Sequence, residues 1–355
     1  MDTTRINELF KAMIERKASD LHLAVQSPPT FRVNSVLIPD GGAPLTFDDV
    51  KTMVYSLLSE AQRIQFEQEK ELDFSYGLAG VSRFRGNLLM QRGTIGAVFR
   101  AIPYQPPKLN DLGFAPILKE LCAKSRGLVL VTGPTGSGKS TTLAAMIDYI
   151  NEREAVHIVT IEDPVEFLYK NKKAMIRQRE LGQDTSSFAQ ALKHVLRQDP
   201  NVILVGEMRD LETIALALTA AETGHLVLST LHTTSSSATV DRIVDVFPAH
   251  QQEQIRVQLA SVFEGAICQT LVRTADGSGR VCAVEVMIGT PAVRNLIREG
   301  STHQLMSVIQ SGGKWGMTTL DFSLKELVTS GQATFEDCLL KSNDPEGFRR
   351  LCGQS

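Results

Sequence analysis

The sequence predicts an α/β protein with a small N-terminal α+β domain and a larger C-terminal domain built on a parallel β-sheet. The chain has 355 residues, which is enough for two or three hydrophobic cores. A proline cluster between Pro103 and Pro116 separates two regions of different pattern. Beyond Gly113, short apolar runs alternate with long helical patterns, which is typical of parallel strands covered on both faces. We therefore expect domains at 1–102 and 113–355, joined by a proline-rich linker at 103–112.

The N-terminal domain is predicted to combine a sheet with covering helices. Apolar residues recur at helical spacing between positions 6 and 14, so the chain opens with an amphipathic helix. Before the linker, polar and apolar residues alternate and glycines interrupt them, which indicates a meander of strands. We predict short strands within 21–37, helices at 47–58 and 60–69 with Thr46 capping the first, and the meander at 72–102.

The C-terminal domain is predicted from its continuous apolar runs, which favour buried parallel strands. After Thr233 the pattern favours a mainly helical structure. The predicted strands are 128–131, 156–161, 202–205 and 226–231, and the helices between them include 139–150, 188–197 and 211–223.

Composition and charge exclude several classes of protein. The 37 basic and 40 acidic residues leave a net charge of −3, whereas a protein that wraps nucleic acid needs a basic surplus. The five cysteines are scattered and form no CxxC pair, so neither a zinc ribbon nor a disulfide framework is expected. No segment predicts a signal peptide or a transmembrane helix. We expect a cytoplasmic protein with reduced thiols and no nucleic-acid partner.

A glycine-rich loop carries the strongest chemical signal in the chain. It fits the pattern G-x4-G-K-[ST] and lies between a predicted strand and a predicted helix, where backbone N–H groups hold phosphates. Lys139 is expected to reach the β- and γ-phosphates of ATP, and the Ser140 hydroxyl to ligate Mg²⁺. The predicted nucleotide-binding residues are Gly133, Pro134, Thr135, Gly136, Ser137, Gly138, Lys139, Ser140 and Thr141.

Acidic residues follow two of the predicted strands at their carboxyl ends, where open α/β sheets bind ligands. Glu162 is predicted to orient or deprotonate the attacking water, with Asp163 and Glu166 in support. Glu207 follows a run of four apolar residues, as in a Walker B strand, and is expected to face Mg²⁺ or its water shell. The alternative for each is an ordinary acidic turn at the surface.

Two histidines flank the predicted strand 226–231. His232 follows it and His225 precedes it, and such groups can sense a γ-phosphate or a neighbouring subunit. The alternative is an ordinary structural role, which is commoner for a lone histidine. Their spacing does not indicate a metal site.

Arg83 and Arg85 lie on one face of a predicted strand, being two residues apart. An arginine directed at a γ-phosphate from another domain or subunit accelerates hydrolysis by about 10³–10⁵. Arg92 and Arg100 follow, and we consider one of these four arginines a candidate for that role, although surface salt bridges are the commoner use of such residues.

A short helix with clear boundaries is predicted after Thr290, with proline in its first turn and Gly300 at its end. One face is apolar, while Arg294 and Arg298 form another that is expected to be free for a neighbour or partner. A packed structural helix is the alternative. The segment comprises Ala292, Val293, Arg294, Asn295, Leu296, Ile297, Arg298 and Glu299.

Together these motifs resemble the type IV pilus retraction ATPases, within the type II/IV secretion ATPases. The resemblance includes a segment at 19–23, the Arg83-Phe-Arg85 triplet, the Walker A loop, an acidic box at 162–166 and a Walker B segment ending at Glu207. It continues through a histidine box at 225–232 and the family signature AIRNLIRE at 292–299, where Val293 stands for isoleucine. It covers essentially the whole chain.

The resemblance implies an N-terminal PAS-like domain, a C-terminal RecA-like ATPase domain, and a homohexameric ring with ATP and Mg²⁺ bound between the two kinds of domain. It assigns catalysis to Glu162 and Glu207, assistance to Arg83, Arg85 and His232, and retraction to 292–299. It also implies a peripheral location at the inner-membrane base of the pilus machine, beside its platform protein.

Four alternatives are weighed at this point. Extension and secretion ATPases usually carry a tetracysteine zinc insertion and an extra N-terminal domain, which this sequence lacks. A non-hydrolysing nucleotide-binding adaptor is disfavoured by Lys139, Ser140, Glu162 and Glu207. An accessory retraction ATPase is harder to separate, whereas a RecA-like DNA translocase is disfavoured by charge and by the lack of a basic aromatic platform.

Overall fold

The computed structural model describes residues 3–33, 36–102 and 106–353. The chain forms two compact units. The first comprises Met1–Gln105 together with Glu166–Leu168, and the second comprises Pro106–Val165 and Tyr169–Ser355.

The first unit is an α+β structure with one antiparallel sheet of six strands, in the order β3-β2-β1-β6-β5-β4 among its described residues. The predicted meander is confirmed as β4, β5 and β6. The elements are α1 (Thr4–Glu15), β1 (Asp20–Leu23), β2 (Thr30–Val33), β3 (Val36–Pro39), α2 (Phe47–Tyr55), α3 (Glu60–Glu69), β4 (Glu71–Leu78), β5 (Ser82–Gln91) and β6 (Thr94–Ile102).

The core of the first unit forms where α1 packs on the sheet. Phe10 of α1 is fully buried and stacks on Phe84 of β5, with ring centroids 4.1 Å apart. Phe99 of β6 meets Phe10 edge to face. Thr46 caps α2 in a capping box with Asp49, so the predicted cap is confirmed. Aromatic side chains on alternate strand positions thus fix which face of the sheet is covered.

The second unit is built on a sheet of seven strands in the order β13-β12-β7-β11-β10-β8-β9 among its described residues. All neighbouring strands are parallel except β12 and β13, which form an antiparallel pair. Its elements up to the last strand are α4 (Ala115–Cys122), β7 (Gly127–Thr132), α5 (Lys139–Arg153), β8 (His157–Glu162), β9 (Met175–Glu180), α6 (Phe188–Val195), β10 (Val202–Val205), α7 (Leu211–Glu222), β11 (Leu226–Leu231), α8 (Ser236–Asp245), α9 (Ala249–Val262), β12 (Phe263–Arg273) and β13 (Arg280–Ile288).

The central strands β7, β8, β10 and β11 are buried along their whole length. This explains why their sequences are continuous apolar runs, since both faces of the sheet are covered by helices. One face packs against α6 to α9 and the other against α4 and α5. The predicted parallel sheet is therefore confirmed.

The expectation of a mainly helical chain after Thr233 is wrong for 263–288, where β12 and β13 form a long hairpin. Most of β12 is buried, because β7 and β13 flank it and both faces are covered, so its apolar residues show no strict alternation. Such a segment cannot be told from a buried helix by periodicity alone. The turn at 274–279, rich in Gly, Asp and Ser, is the signal that identifies the hairpin.

After the hairpin the chain is helical, and Phe348 lies fully buried in a small separate core. These helices are α10 (Pro291–Glu299), α11 (Leu305–Ser311), α12 (Leu320–Thr329), α13 (Phe335–Leu339) and α14 (Pro345–Leu351). No helix among the described residues has the length and apolar character that a membrane crossing needs.

The described part of the predicted linker packs against the second unit and forms ion pairs with it. Leu109 is buried at 3% exposure within a 3-10 turn. Lys108 Nζ lies 2.5 Å from Glu152 Oε1 and 3.5 Å from Asp148 Oδ2, both on α5. Leu109 thus belongs to the core of the second unit, and Leu112 packs against it. The predicted linker residues 103–105 lie outside the described part of the chain.

Candidate nucleotide-binding site

The carboxyl ends of four neighbouring strands bring most of the predicted site residues to one edge of the second sheet. In spatial order these strands are β7, β11, β10 and β8. They lead respectively into the glycine-rich loop, His232, Glu207 and Glu162. Parallel strands lie about 4.8 Å apart, so residues distant in sequence become neighbours here.

The glycine-rich loop depends on residues without a side chain. Gly133 has a φ of +136°, and a Cβ there would lie 2.3 Å from the Gln269 carbonyl oxygen of β12. Gly138 has a φ of +91° at the N-cap of α5. The loop therefore places backbone N–H groups, rather than side chains, at the start of α5, which is the arrangement that binds phosphate.

Lys139 is the first residue of α5 and is only 9% exposed. Its Nζ donates to the carbonyl oxygens of Gly133, at 2.9 Å, and Pro134, at 3.1 Å. A buried ammonium at the positive end of a helix is unfavourable without an anion, because both carry positive charge. The site is thus suited to the phosphates of a nucleotide.

His232 connects the loop to the Walker B carboxylate. Its Nδ1 lies 3.4 Å from Lys139 Nζ, and its Nε2 lies 3.1 Å from Glu207 Oε1. Because an ammonium only donates, Nδ1 accepts, so Nε2 of the neutral ring carries the proton and donates to Glu207. Predicted residues that follow three different strands, β7, β11 and β10, therefore form one chain of hydrogen bonds.

Glu207 is held as a carboxylate. Burial, the largest single influence, raises the pKa of Glu207, but contacts with Arg209 and His232 together outweigh it and leave the pKa below its usual value. Arg209 Nε lies 2.8 Å from Glu207 Oε1. An ionised oxygen ligand is therefore present beside the phosphate loop.

Neighbouring strands fix the loop that carries Glu207. The Gly206 N–H donates to the Ile161 carbonyl at 2.8 Å, and Thr230 Oγ1 donates to the Gly206 carbonyl at 2.6 Å. Ser229 Oγ donates to the Val205 carbonyl at 2.8 Å. These two hydroxyl groups at the end of β11 thus add hydrogen bonds to those between the paired strand backbones. They hold the backbone next to Glu207 in place and so orient its side chain.

Glu162 ends β8 and is 8% exposed. It accepts hydrogen bonds from Thr160 Oγ1 at 2.6 Å and from Gln178 Nε2 at 3.2 Å. Asp163 follows it at the surface, and its charge adds to the larger effect of Glu207 in raising the pKa of Arg209. Glu162 is thus a positioned carboxylate at the same sheet edge.

The structure does not bring His225 to this site. His225 precedes β11 at the opposite, amino edge of the sheet, where its Nδ1 lies 2.9 Å from the Ala220 carbonyl oxygen. This contact caps the carboxyl end of α7, so a structural role accounts for His225. Glu166 groups with the first unit.

Arg83 and Arg85 also belong to the first unit, on β5. They share a strand face, as predicted from their spacing. Arg83 is half-buried, and Arg85 is exposed with its Nε 3.9 Å from Asp73 Oδ1. Their action on a nucleotide bound by the second unit stays a prediction.

The helix α10 has the predicted boundaries, capped by Thr290 and ended by Gly300 in the left-handed conformation. Its apolar face is buried, with Val293 and Ile297 both at 0% exposure. Arg298 lies on the outer face, where its Nη1 is 3.4 Å from Asn295 Oδ1.

The expectation that Arg294 is free for a partner is wrong. Its guanidinium donates to the carbonyls of Gly289, Ala260 and Ser261 at 2.7 to 3.1 Å. Its Nη2 lies 2.6 Å from Glu264 Oε1. Arg294 ties α10 to the end of α9, because that helix leaves carbonyl groups without intrahelical partners.

Sequence reasoning missed three polar residues of the site. Arg209 pairs with Glu207, and Thr160 and Gln178 hold Glu162. Arg209 was detectable from its position two residues after the Walker B glutamate. Gln178 was not, since its place beside Glu162 depends on β9 pairing with β8.

The residues present fit a Mg²⁺ ion bound through a nucleotide. Ser140 and Glu207 offer a hydroxyl and a carboxylate, the oxygen ligands that Mg²⁺ prefers. Among the described residues no cluster of three or more His, Cys, Asp or Glu forms a metal site of its own. This is consistent with an ion that takes most of its ligands from phosphate and water.

A phosphate loop at the carboxyl edge of a parallel sheet, with a buried lysine and two positioned carboxylates beside it, defines a P-loop ATPase. The model of a family described as type II/IV secretion system protein matches residues 3–340. The chain belongs to this family.

Known proteins resemble the chain over almost its full length. It is 50% identical to the type IV pilus retraction ATPase PilT of Pseudomonas aeruginosa, covering 97% of this chain and 99% of that protein. It is 52% identical to the twitching motility protein of Neisseria gonorrhoeae, covering 90% and 86% respectively. The crystal structure of the pilus retraction motor PilT with bound ADP superimposes with a TM-score of 0.91 at 46% identity, covering 97% of this chain and 99% of that one.

Proposed function

We propose that this protein is an ATP-hydrolysing motor that powers the retraction of type IV pili. The observation that carries the proposal is the chain of contacts from Lys139 through His232 to Glu207, set beside the phosphate loop. The 50% identity to a pilus retraction ATPase over nearly the whole chain supports the same activity here. A further support is that the solved relative at TM-score 0.91 binds ADP.

In the proposed mechanism the loop amides and Lys139 hold the β- and γ-phosphates of ATP. Ser140, and Glu207 through water, would hold Mg²⁺, and this ion would supply charge neutralisation at the phosphates. Glu162 orients the attacking water and accepts its proton, while Thr160 and Gln178 keep that carboxylate in place. His232 senses the γ-phosphate through its contact with Lys139.

We further propose that six copies form a ring in which the first unit supplies Arg83 or Arg85 to a nucleotide held by a second unit. The first unit carries no phosphate loop, so a shared site explains why arginines on one of its strands accompany the ATPase unit. Such an arginine stabilises the charge that develops on the transferred phosphate. The ring would act in the cytoplasm at the membrane base of the pilus machine, against its platform protein.

The proposal is tested by deleting the gene in its own organism and counting surface pili. Loss of a retraction motor leaves excess pili that do not retract, together with loss of twitching. Loss of pili would instead identify an extension ATPase. Normal retraction in the deletion strain would contradict the proposal, while partial loss that disappears when a second retraction ATPase is overproduced would identify an accessory role.

A further inference from the structure

A buried carboxylate outside the predicted site lies close to the segment that carries His232. Glu285 is on β13, in the hairpin that the sequence did not predict, and is 1% exposed. Its Oε1 accepts a hydrogen bond from the Ser236 N–H at 2.7 Å. Its Oε2 has no hydrogen-bond partner among the residues described. Burying a carboxylate is costly, and an apolar residue would pack more favourably at this strand position.

Strand register places Glu285 at the end of a row of buried residues. Thr132, at the end of β7, is paired with Cys268 on β12, and Cys268 is paired with Glu285 on β13. Paired residues project from the same face of a sheet. The row is next to the phosphate loop, because Thr132 immediately precedes Gly133.

This row holds the connection between β11 and α8. Cys268 Sγ donates to the Thr233 carbonyl at 3.5 Å, and Thr239 Oγ1 lies 3.5 Å from Thr132 Oγ1. Glu285 binds the first N–H of α8, one of the N–H groups that a helix start leaves without an intrahelical partner. A carboxylate is also favoured there by the helix dipole.

His232 directly precedes Thr233, the first residue of this connection that the row of buried residues contacts. Its ring makes two contacts, with Lys139 and with Glu207, and both depend on where the backbone of 232–236 lies. Among the contacts described for this segment, the one from Glu285 is the hydrogen bond that an acidic side chain accepts from its backbone, at 2.7 Å.

We propose that Glu285 is a positioning residue for ATP hydrolysis, which holds the segment 232–236 so that His232 bridges Lys139 and Glu207. The inference rests on the proposed ATPase activity. Glu285 acts through the segment and does not touch the nucleotide. Its loss therefore lowers the rate of the chemical step and leaves nucleotide binding by the loop largely intact.

The test measures steady-state ATPase of the full-length protein over a range of Mg·ATP concentrations. Glu285→Ala is expected to lower kcat about tenfold, since misplacing a group by 1 Å costs up to about a hundredfold, while the KM for ATP changes less than about threefold. Glu285→Gln keeps an oxygen that accepts the Ser236 N–H, so it is expected to restore most of the wild-type kcat.

A second pair of variants removes the donor instead of the acceptor. Ser236 is the first residue of α8, where proline is tolerated, and the preceding Ser235 is extended, as a residue before proline must be. Ser236→Pro deletes the N–H and is expected to lower kcat as Glu285→Ala does. Ser236→Ala, its matched control, keeps the N–H and is expected to behave like the wild type.

The inference is overturned if Glu285→Ala or Ser236→Pro, when folded, keeps the wild-type kcat. It is also overturned if Glu285→Gln loses as much as Glu285→Ala. If Glu285→Ala does not fold, the Ser236 pair decides, and a Ser236→Pro variant that unfolds while Ser236→Ala folds would make the contact structural. Absence of turnover in the folded wild type would overturn the proposed ATPase activity itself.

Discussion

Lys139 occupies a position suited to an anion, since its ammonium is buried at the positive end of α5. The sequence predicted this residue and its loop because the pattern of glycines before a lysine has one common use. It also predicted Glu162, Glu207 and His232, each by its place at the end of an apolar run. What it did not predict is how they are held: Gln178 reaches Glu162 only because β9 pairs with β8, while Thr160 and Arg209 each lie two residues from the carboxylate that they contact.

We expect Lys139→Ala to abolish most ATP turnover while the fold is retained, because the variant loses the charge that neutralises the β- and γ-phosphates. Turnover is measured by phosphate release and folding by the melting transition. A change of less than about threefold, which is about 0.65 kcal/mol of barrier, would contradict the assignment of the loop.

We expect Glu162→Gln and Glu207→Gln to retain ATP and to hydrolyse it slowly, because only the reaction needs an oriented water and a charged ligand. Binding is measured by equilibrium titration with ATP, and turnover by phosphate release. Wild-type turnover in both variants would show that neither carboxylate serves the chemistry.

At the level of elements, the strands that are buried on both faces were the easiest to predict, because a continuous apolar run leaves few alternatives. The same property explains why β12 was not predicted as a strand. It is buried along most of its length, so its apolar and polar residues do not alternate. In α10 the periodicity gave the buried face and the caps correctly. The hydrogen bonds of Arg294 to α9 and to Glu264 could not be predicted, because these groups become its neighbours only when α10 packs against α9.

The helix α10 therefore offers two arginines with different expected effects. Arg294→Ala breaks several hydrogen bonds and leaves Glu264 without this partner, so we expect a loss of about 2 kcal/mol in the free energy of unfolding. Arg298→Ala, on the exposed face, is expected to leave stability and ATPase intact and to reduce twitching. Equal loss of stability and ATPase in both variants would make the whole helix structural.

The attachment of residues 106–112 to α5 predicts a pH dependence. Contacts with Lys108 and Lys172 lower the pKa of Glu152 to about 2. A carboxyl group whose pKa falls on folding stabilises the protein above its unfolded pKa, and this contribution is lost as pH falls through the folded value.

We therefore expect Glu152→Gln to melt at a lower temperature than the wild type at neutral pH, with the difference shrinking as pH falls below the ordinary glutamate value of about 4.3. Melting curves of the two proteins at a series of pH values test this. A difference that grows on acidification would contradict the assigned ion pairs.

At the level of the whole molecule, two units with separate cores carry complementary chemistry: a phosphate loop in one and strand-borne arginines in the other. In a ring with shared sites, Arg83→Ala is expected to lower turnover severalfold or more although its strand carries no part of the loop. Sedimentation with simultaneous ATPase measurement tests this. An active monomer in which Arg83→Ala is harmless would refute the shared site.

Imaging of labelled pili on living cells tests most directly whether ATP hydrolysis by this chain drives pilus retraction. In a deletion strain, pili are expected to extend without shortening. The wild-type gene is expected to restore retraction, whereas the gene for Lys139→Ala, expressed at the same level, is not. Retraction at the wild-type frequency in the deletion strain, or in cells that carry only Lys139→Ala, would contradict the claim.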